Sequence, residues 1–212
     1  MQRVTVGGPA GPLEAIVEDS GAGAGAGAGA GSARCALVCH PHPLYGGTME
    51  NKVVTTVARA LRDAGIPTLR FNFRGVGGSA GSYDAGDGET ADADAAAGWC
   101  AARWPGRALV AAGFSFGAYV ALRLAQRRSL GRLITVAPPV DRFDFGVIAV
   151  PACPWLIVQG DADEVVSPPS VIAWAQALDP QPQLVVMPGA GHFFHGRLPE
   201  LHDAVNNAIR SD

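Results

Sequence analysis

Residues 108–122 read Ala-Leu-Val-Ala-Ala-Gly113-Phe-Ser115-Phe-Gly117-Ala-Tyr-Val-Ala-Leu, an apolar run that enters Gly-x-Ser-x-Gly and leaves it directly as a second apolar run. A strand that feeds a helix in this way puts the central serine at the tip of a strained turn. Glycine is needed on both sides because the turn packs closely on its neighbours, and a Cβ at either flank would collide. The Ser115 hydroxyl then sits near a helix start, where the dipole favours developing negative charge. Nucleophilic attack on a carbonyl is the chemistry this placement suits.

The same pattern recurs at Gly77-Gly-Ser79-Ala-Gly81, so the five residues alone select nothing. Ser79 follows Phe71-Asn-Phe-Arg-Gly-Val-Gly and precedes Ser82-Tyr-Asp-Ala-Gly-Asp-Gly, a polar stretch in which no helix opens at the serine. Context therefore assigns the reactive hydroxyl to Ser115. The stretch also fits Gly75-x-Gly77-x-x-Ala80, a loose dinucleotide fingerprint. A phosphate loop must open straight into a helix, so that amides and dipole meet the pyrophosphate. Here Gly81, Gly86 and Gly88 intervene before a helix near Glu89, and nucleotide binding is not expected.

A serine hydroxyl becomes a good nucleophile when an imidazole takes its proton, and the imidazole needs a carboxylate to fix its tautomer and stabilise its charge. Candidates for both lie downstream of Ser115. Asp161 and Asp163 lie in Val158-Gln-Gly-Asp-Ala-Asp-Glu-Val-Val, directly after a predicted strand. Asp163 is the expected acid, since it stands further past the strand end and precedes Val165-Val166, which can anchor the loop. Asp161 suits a turn-capping role instead. Of His192, His195 and His202, the expected base is His192, on the glycine-rich loop Met187-Pro-Gly-Ala-Gly-His-Phe-Phe; the other two fall in or near the exposed start of the final helix.

An oxyanion formed by attack needs amide donors. The N–H of Phe116 is one, and Val38-Cys-His40-Pro-His42-Pro-Leu44-Tyr-Gly-Gly, at the end of the first core strand, is expected to supply the other. Pro41 and Pro43 have no N–H, so the donor is His42 or, failing that, Leu44. The His-x-His pair could suggest a metal, but catalytic zinc needs about three protein ligands and no third clusters with them. His40 is expected to brace the loop by hydrogen bonds.

Holding these groups together takes a parallel sheet covered on both faces, and from Cys35 onward short apolar runs alternate with helical periods as such a sheet requires. Predicted strands are Cys35–Cys39, Pro67–Phe73, Ala108–Ala112, Leu130–Val136, Trp155–Val158 and Gln183–Met187. Predicted helices are the stretch of Val53, Val54, Val57, Ala58 and Leu61, then Glu89–Trp104, Phe116–Arg127, Pro168–Leu178 and Pro199–Arg210. Val4–Val6 and Leu13–Glu18, joined by Gly-Gly-Pro-Ala-Gly-Pro, form a predicted antiparallel pair. The Gly-Ala alternation Gly21–Gly31 has too little side chain to repay ordering and is expected to be a surface loop.

With 212 residues, 48% hydrophobic and 17% charged, the chain suits one globular domain over 1–212 and is too apolar to be disordered as a whole. No stretch approaches the ~18 uninterrupted apolar residues of a membrane span. Net charge is −3, with 15 arginines and the single lysine Lys52 scattered along the chain, which argues against a nucleic-acid partner. The start, Met1-Gln-Arg-Val-Thr-Val-Gly-Gly-Pro, lacks the apolar core of a signal peptide, and a cytoplasmic location is expected. Cys35, Cys39, Cys100 and Cys153 sit in apolar surroundings with no CxxC spacing and are expected to be buried free thiols.

Five motifs in order, His40-Pro-His-Pro-Leu-Tyr-Gly-Gly-Thr-Met-Glu-Asn-Lys, Phe71-Asn-Phe-Arg-Gly-Val-Gly-Gly-Ser, Gly113-Phe-Ser-Phe-Gly, Gly160-Asp-Ala-Asp-Glu-Val-Val and Gly189-Ala-Gly-His-Phe-Phe-His-Gly, resemble the α/β-hydrolase superfamily. More narrowly, they resemble its small bacterial lidless serine hydrolases, similar to dienelactone-hydrolase-like esterases with serine in place of cysteine. The resemblance runs from about Cys35 to the end. It implies an α/β fold, doubly wound and mostly parallel, with the antiparallel N-terminal hairpin added and no lid domain. It also implies Ser115 as nucleophile, Asp163 as acid, His192 as base, the amides of Phe116 and His42 as oxyanion hole, and neither cofactor nor metal. His40-Pro41 departs from the His-Gly that many relatives carry after this strand.

Larger relatives insert a lid after the strand that ends near Val136, where this chain has only Ala137 to Cys153. The implied site is open, with Phe114, Phe116, Tyr45 and Phe193 as candidates either for its wall or for the core. The implied activity is hydrolysis of a carboxylic ester or thioester, on a small-molecule acyl substrate, through an acyl-enzyme. A peptidase or amidase with the same triad is the nearest alternative, and a non-catalytic binding protein on the same fold is the alternative from another class.

Overall fold

The structure, a computed structural model, describes residues 1–19, 32–146 and 148–210; the Gly-Ala segment at 21–31 lies outside them. Along the described chain run β1 (Gln2–Gly8), β2 (Gly11–Glu18), β3 (Arg34–Cys39), α1 (Lys52–Asp63), β4 (Thr68–Phe71), α2 (Asp87–Arg103), β5 (Ala108–Phe114), α3 (Phe116–Leu124), β6 (Arg132–Val136), β7 (Trp155–Gly160), α4 (Pro168–Gln176), β8 (Gln183–Met187) and α5 (Leu198–Arg210). The strands join one sheet in the order β1-β2-β4-β3-β5-β6-β7-β8. β1 pairs antiparallel with β2 and β2 with β4, while every pair from β4 to β8 is parallel.

The side-chain period of two along a strand divides the interior into two cores. Cys35, Leu37 and Cys39 of β3, with Ala111, Leu133 and Ile157, join Ala93 of α2, Val120 of α3 and Val171 of α4. Their neighbours Ala36, Val38, Val110, Ile134, Leu156 and Val158 join Val53, Val57 and Leu61 of α1 and Leu201, Val205 and Ile209 of α5. Strands buried on both faces read as unbroken apolar runs, which is why they were legible in the sequence. Cys35, Cys39 and Cys100 are buried and Cys153 is partly so, all four as free thiols.

Most elements shift by a few residues at their ends from the sequence prediction, α3 stopping at Leu124 rather than Arg127 among them, and two of the differences have a clear local cause. The N-terminal hairpin is tighter: the strands run on to pair Gly8 with Gly11, so the turn itself is only Pro9-Ala10, with Gly11 at φ +119°. β4 ends at Phe71, short of the predicted Phe73, because the Phe73 N–H leaves the ladder and donates to Nε2 of His40 at 3.0 Å.

β3 is flanked by β4 on one side and β5 on the other, so chain direction switches at its carboxyl end. Such switch points open the crevice in which ligands bind on this kind of sheet. Among the described residues no helix is long and apolar enough to cross a membrane.

Candidate active site

The site is built from four loops at the carboxyl edge of the sheet, following β3, β5, β7 and β8. Ser115, between β5 and α3, has φ 53° and ψ −120°, a region that costs roughly 1–3 kcal/mol and persists only where packing imposes it. The packing is that of backbone on backbone. A Cβ on Gly113 would stand 2.0 Å from the Gly117 carbonyl oxygen, and one on Gly117 would stand 2.3 Å from that of Cys39 and 2.5 Å from that of His40. The flanking glycines thus press the turn onto the loop after β3. Ser115 N–H donates to Val136 O at 2.8 Å, which fixes the turn to the neighbouring strand as well.

His192, 3% exposed, meets Ser115 Oγ through Nε2 at 3.1 Å and Asp163 Oδ2 through Nδ1 at 2.8 Å. Burial by itself raises the Asp163 carboxyl. The His192 hydrogen bond and the amides of Val166 and Val165 outweigh it and hold the group below the usual carboxylate range. An ionised carboxylate only accepts, so Nδ1 carries the imidazole hydrogen and Nε2 is left to accept from the serine hydroxyl. Val165 and Val166 both donate to Asp163 Oδ1 at 2.8 Å, and the buried Gln159 donates to Oδ2 at 3.1 Å. The two valines were expected to anchor the loop in the core; only Val166 is buried there, Val165 is exposed, and it is their backbone amides that hold Asp163. Gln159, a lone amide at the end of an apolar strand, was not anticipated.

The alternatives have other tasks. Asp161 accepts from the Gly189 N–H at 2.6 Å and ties the acid loop to the turn that precedes His192. Glu164 accepts from the His192 amide at 3.1 Å, a second tie between the same loops. His195 is exposed, and His202 pairs with Asp63 on α1. Ser79 is buried and saturated: it accepts from Glu14 N–H at 2.9 Å and donates to Asn72 O at 2.7 Å, bracketing β2 to the end of β4. In the same glycine-rich stretch the Gly78 amide is taken by the Glu14 carboxylate at 3.0 Å, so this loop already carries an anion from its own chain.

That stretch also holds the loop after β3. His40, fully buried, donates from Nδ1 to Pro41 O at 2.6 Å and accepts at Nε2 from Phe73, so both ring nitrogens are engaged with backbone. Burial pushes its imidazole down to about 4, and the ring is neutral. His42 accepts from Leu44 N–H at 3.2 Å on Nδ1, which leaves Nε2–H to donate to the Tyr83 hydroxyl at 3.1 Å. Its ring lies within 5.0 Å of Tyr45, Tyr83 and Phe116, measured between centroids. Met49 N–H donates to Asn72 Oδ1 at 2.9 Å. The His42 carbonyl accepts from Tyr45 and Gly47, while its N–H has no acceptor among the described residues. Phe116 is the first residue of α3, where a helix leaves the N–H without an intrahelical partner.

Ser115 and His192 open on a cleft of about 410 Å³, lined also by Pro41, His42, Tyr45, Gly46, Gly47, Asn51, Arg142, Val165 and Phe193. Tyr45 and Phe193 are wall residues, whereas Phe114 and Phe116 are about 1% exposed and belong to the core. Arg142, in the connection between β6 and β7, was not anticipated by sequence.

Fold and site together define a class, proteins whose parallel sheet carries a serine, a histidine and an aspartate in hydrogen-bonded line at its carboxyl edge. The chain is 48% identical to XC6422 from Xanthomonas campestris, a member of the α/β serine hydrolases without lid. Its crystal structure matches with a TM-score of 0.92 over 99% of this chain and 94% of that one. An α/β serine hydrolase homologue from Coxiella burnetii is 45% identical, with a TM-score of 0.90 over 97% and 96%. The uncharacterized protein RP471 of Rickettsia prowazekii is 40% identical over 84% of this chain and 79% of its own length. Est1E of Butyrivibrio proteoclasticus, solved with ferulic acid bound, is 18% identical with a TM-score of 0.80 and shares the fold. No family model matches. The chain belongs to the α/β-hydrolase superfamily, with lidless serine hydrolases among its relatives.

Proposed function

We propose that the protein is a serine hydrolase that cleaves carboxylic esters or thioesters through an acyl-enzyme, with Ser115 as nucleophile, His192 as general base and acid, and Asp163 as the group that orients His192. The observation that carries this reading is the line Ser115 Oγ, His192 Nε2 and Nδ1, Asp163 Oδ2 at 3.1 and 2.8 Å. Ser115 Oγ attacks the acyl carbonyl carbon while its proton passes to His192 Nε2. The oxyanion is held by the amides of Phe116, which follows Ser115 in the chain, and His42, on the loop after β3; neither N–H has an acceptor among the described residues. Nε2 then protonates the leaving oxygen or sulfur, its bond to carbon breaks, and the acyl group remains on Ser115. Water repeats the sequence: it loses a proton to Nε2, attacks the acyl carbon, and frees the acid and the serine.

Soluble small acyl compounds are the expected substrates, since the cleft is open and its wall is mostly uncharged. The test is turnover of p-nitrophenyl esters of increasing acyl length beside acyl-CoA and peptide substrates, with Ser115→Ala as control. Ester or thioester turnover that falls by a factor of about 10⁴ or more in Ser115→Ala is expected. Activity confined to peptides would instead make the protein a peptidase.

A further inference from the structure

Charge in the cleft is one-sided. Apart from the imidazoles of His42, which burial holds below its ordinary range, and His192, Arg142 is the one cationic side chain among its lining residues, and no aspartate or glutamate lines it. The residue sits in the connection between β6 and β7, the place where a lid would be inserted, and its side chain is exposed. Nη2 donates to Val165 O at 2.9 Å, and Val165 in turn donates its N–H to Asp163 at 2.8 Å. The guanidinium is thereby tethered to the acid loop through one donor, with the rest of its five N–H groups available. No carboxylate pairs with it among the described residues. The acidic residues close to Arg142 or Val165 in the chain are otherwise engaged or lie outside the cleft: Glu164 is turned onto the His192 amide, Asp144 accepts from Gly146, and Asp141 is not among the lining residues. The same wall carries Tyr45, Val165 and Phe193, all large, mainly apolar and exposed.

We propose that Arg142 is an anion anchor, and that the substrate is an ester or thioester combining an apolar acyl portion with a carboxylate or phosphate group that the guanidinium holds. A guanidinium presents planar, paired donors that match either oxyanion. Exposed large apolar side chains at the same mouth give the acyl chain a surface whose contact releases water. Arg142 thus determines specificity, and the proposal rests on the hydrolase reading above.

Two matched pairs separate the sources of the anion. The p-nitrophenyl monoester of adipate against p-nitrophenyl hexanoate places a carboxylate on the acyl side. Acetyl-CoA against S-acetyl-N-acetylcysteamine places phosphates on the leaving side. In at least one pair the ratio of kcat/KM, charged over neutral, is expected to be about tenfold higher in the wild type than in Arg142→Gln, the size of one charge-assisted hydrogen bond. The wild-type ratio is expected to fall as salt rises, and Arg142→Lys, which keeps the charge, is expected to retain most of that salt dependence. Loss of charged and neutral turnover in equal proportion in Arg142→Gln would show a tether for Val165 and nothing more, and overturns the anchor. So does an unchanged ratio in both pairs. Failure of the wild type to hydrolyse any of the four compounds defeats the hydrolase reading and this proposal together, whereas neutral turnover with an unchanged ratio defeats the anchor alone.

Discussion

Two serines in the same five-residue pattern have opposite fates, and hydrogen bonding is what separates them. Among the described residues Ser115 Oγ has a single partner, the imidazole of His192; Ser79 Oγ is consumed by a donor and an acceptor of the backbone. Ser79→Ala should therefore keep turnover while costing about 1–3 kcal/mol of stability, because it strands a backbone N–H and a carbonyl. Urea unfolding read beside ester turnover checks both halves. His40 makes a second prediction. Its folded-state imidazole is lowered to about 4, whereas an unfolded histidine titrates near ~6.5. The unfolded chain thus binds the proton first as pH falls. Its contribution, roughly 3 kcal/mol, is complete above pH ~6.5 and is lost between there and about 4. Asp163, held below the ordinary carboxylate range, adds a further loss at still lower pH. In urea titrations from pH 7 to 4 the wild type should lose more stability than His40→Asn; parallel curves would show that His40 is not the group responsible.

At the scale of elements, the loop after β3 is held against the Ser115 turn by partners distant in sequence. Tyr83 is one of them, through its hydroxyl on His42. Tyr83→Phe is expected to lower kcat by about 10- to 100-fold with KM little changed, as befits a misplaced oxyanion donor. A change confined to KM would place Tyr83 in substrate binding instead. Gly117→Ala should fail to fold stably, since its methyl would meet the carbonyls of Cys39 and His40, and circular dichroism during heating would show this. The same contrast explains what could be seen in the sequence. The strands, and the meeting of Ser115, Asp163 and His192, were legible because each depends on local pattern: an apolar run, a glycine-flanked turn, a loop after a strand. Tyr83, Gln159 and Arg142 were not, because their importance comes from which loops the fold brings together. Phe114 and Phe116 remained open between wall and core for that reason, and Tyr45 and Phe193 likewise.

At the scale of the whole molecule, the sheet places four loops at one edge and the connection between β6 and β7 leaves them uncovered. Without a lid to open, turnover of a short-chain ester should follow simple saturation and show no jump when substrate concentration passes its solubility limit. A sharp rise at that limit would mean that some segment does gate the cleft. The central claim, that one particular serine is activated by His192 and Asp163, is tested most directly by reaction with a fluorophosphonate and mass spectrometry of the peptides. One adduct per chain, on the peptide that carries Ser115, is predicted, with none in His192→Ala or Ser115→Ala. An unlabelled wild type, or an adduct on the Ser79 peptide, would contradict the account.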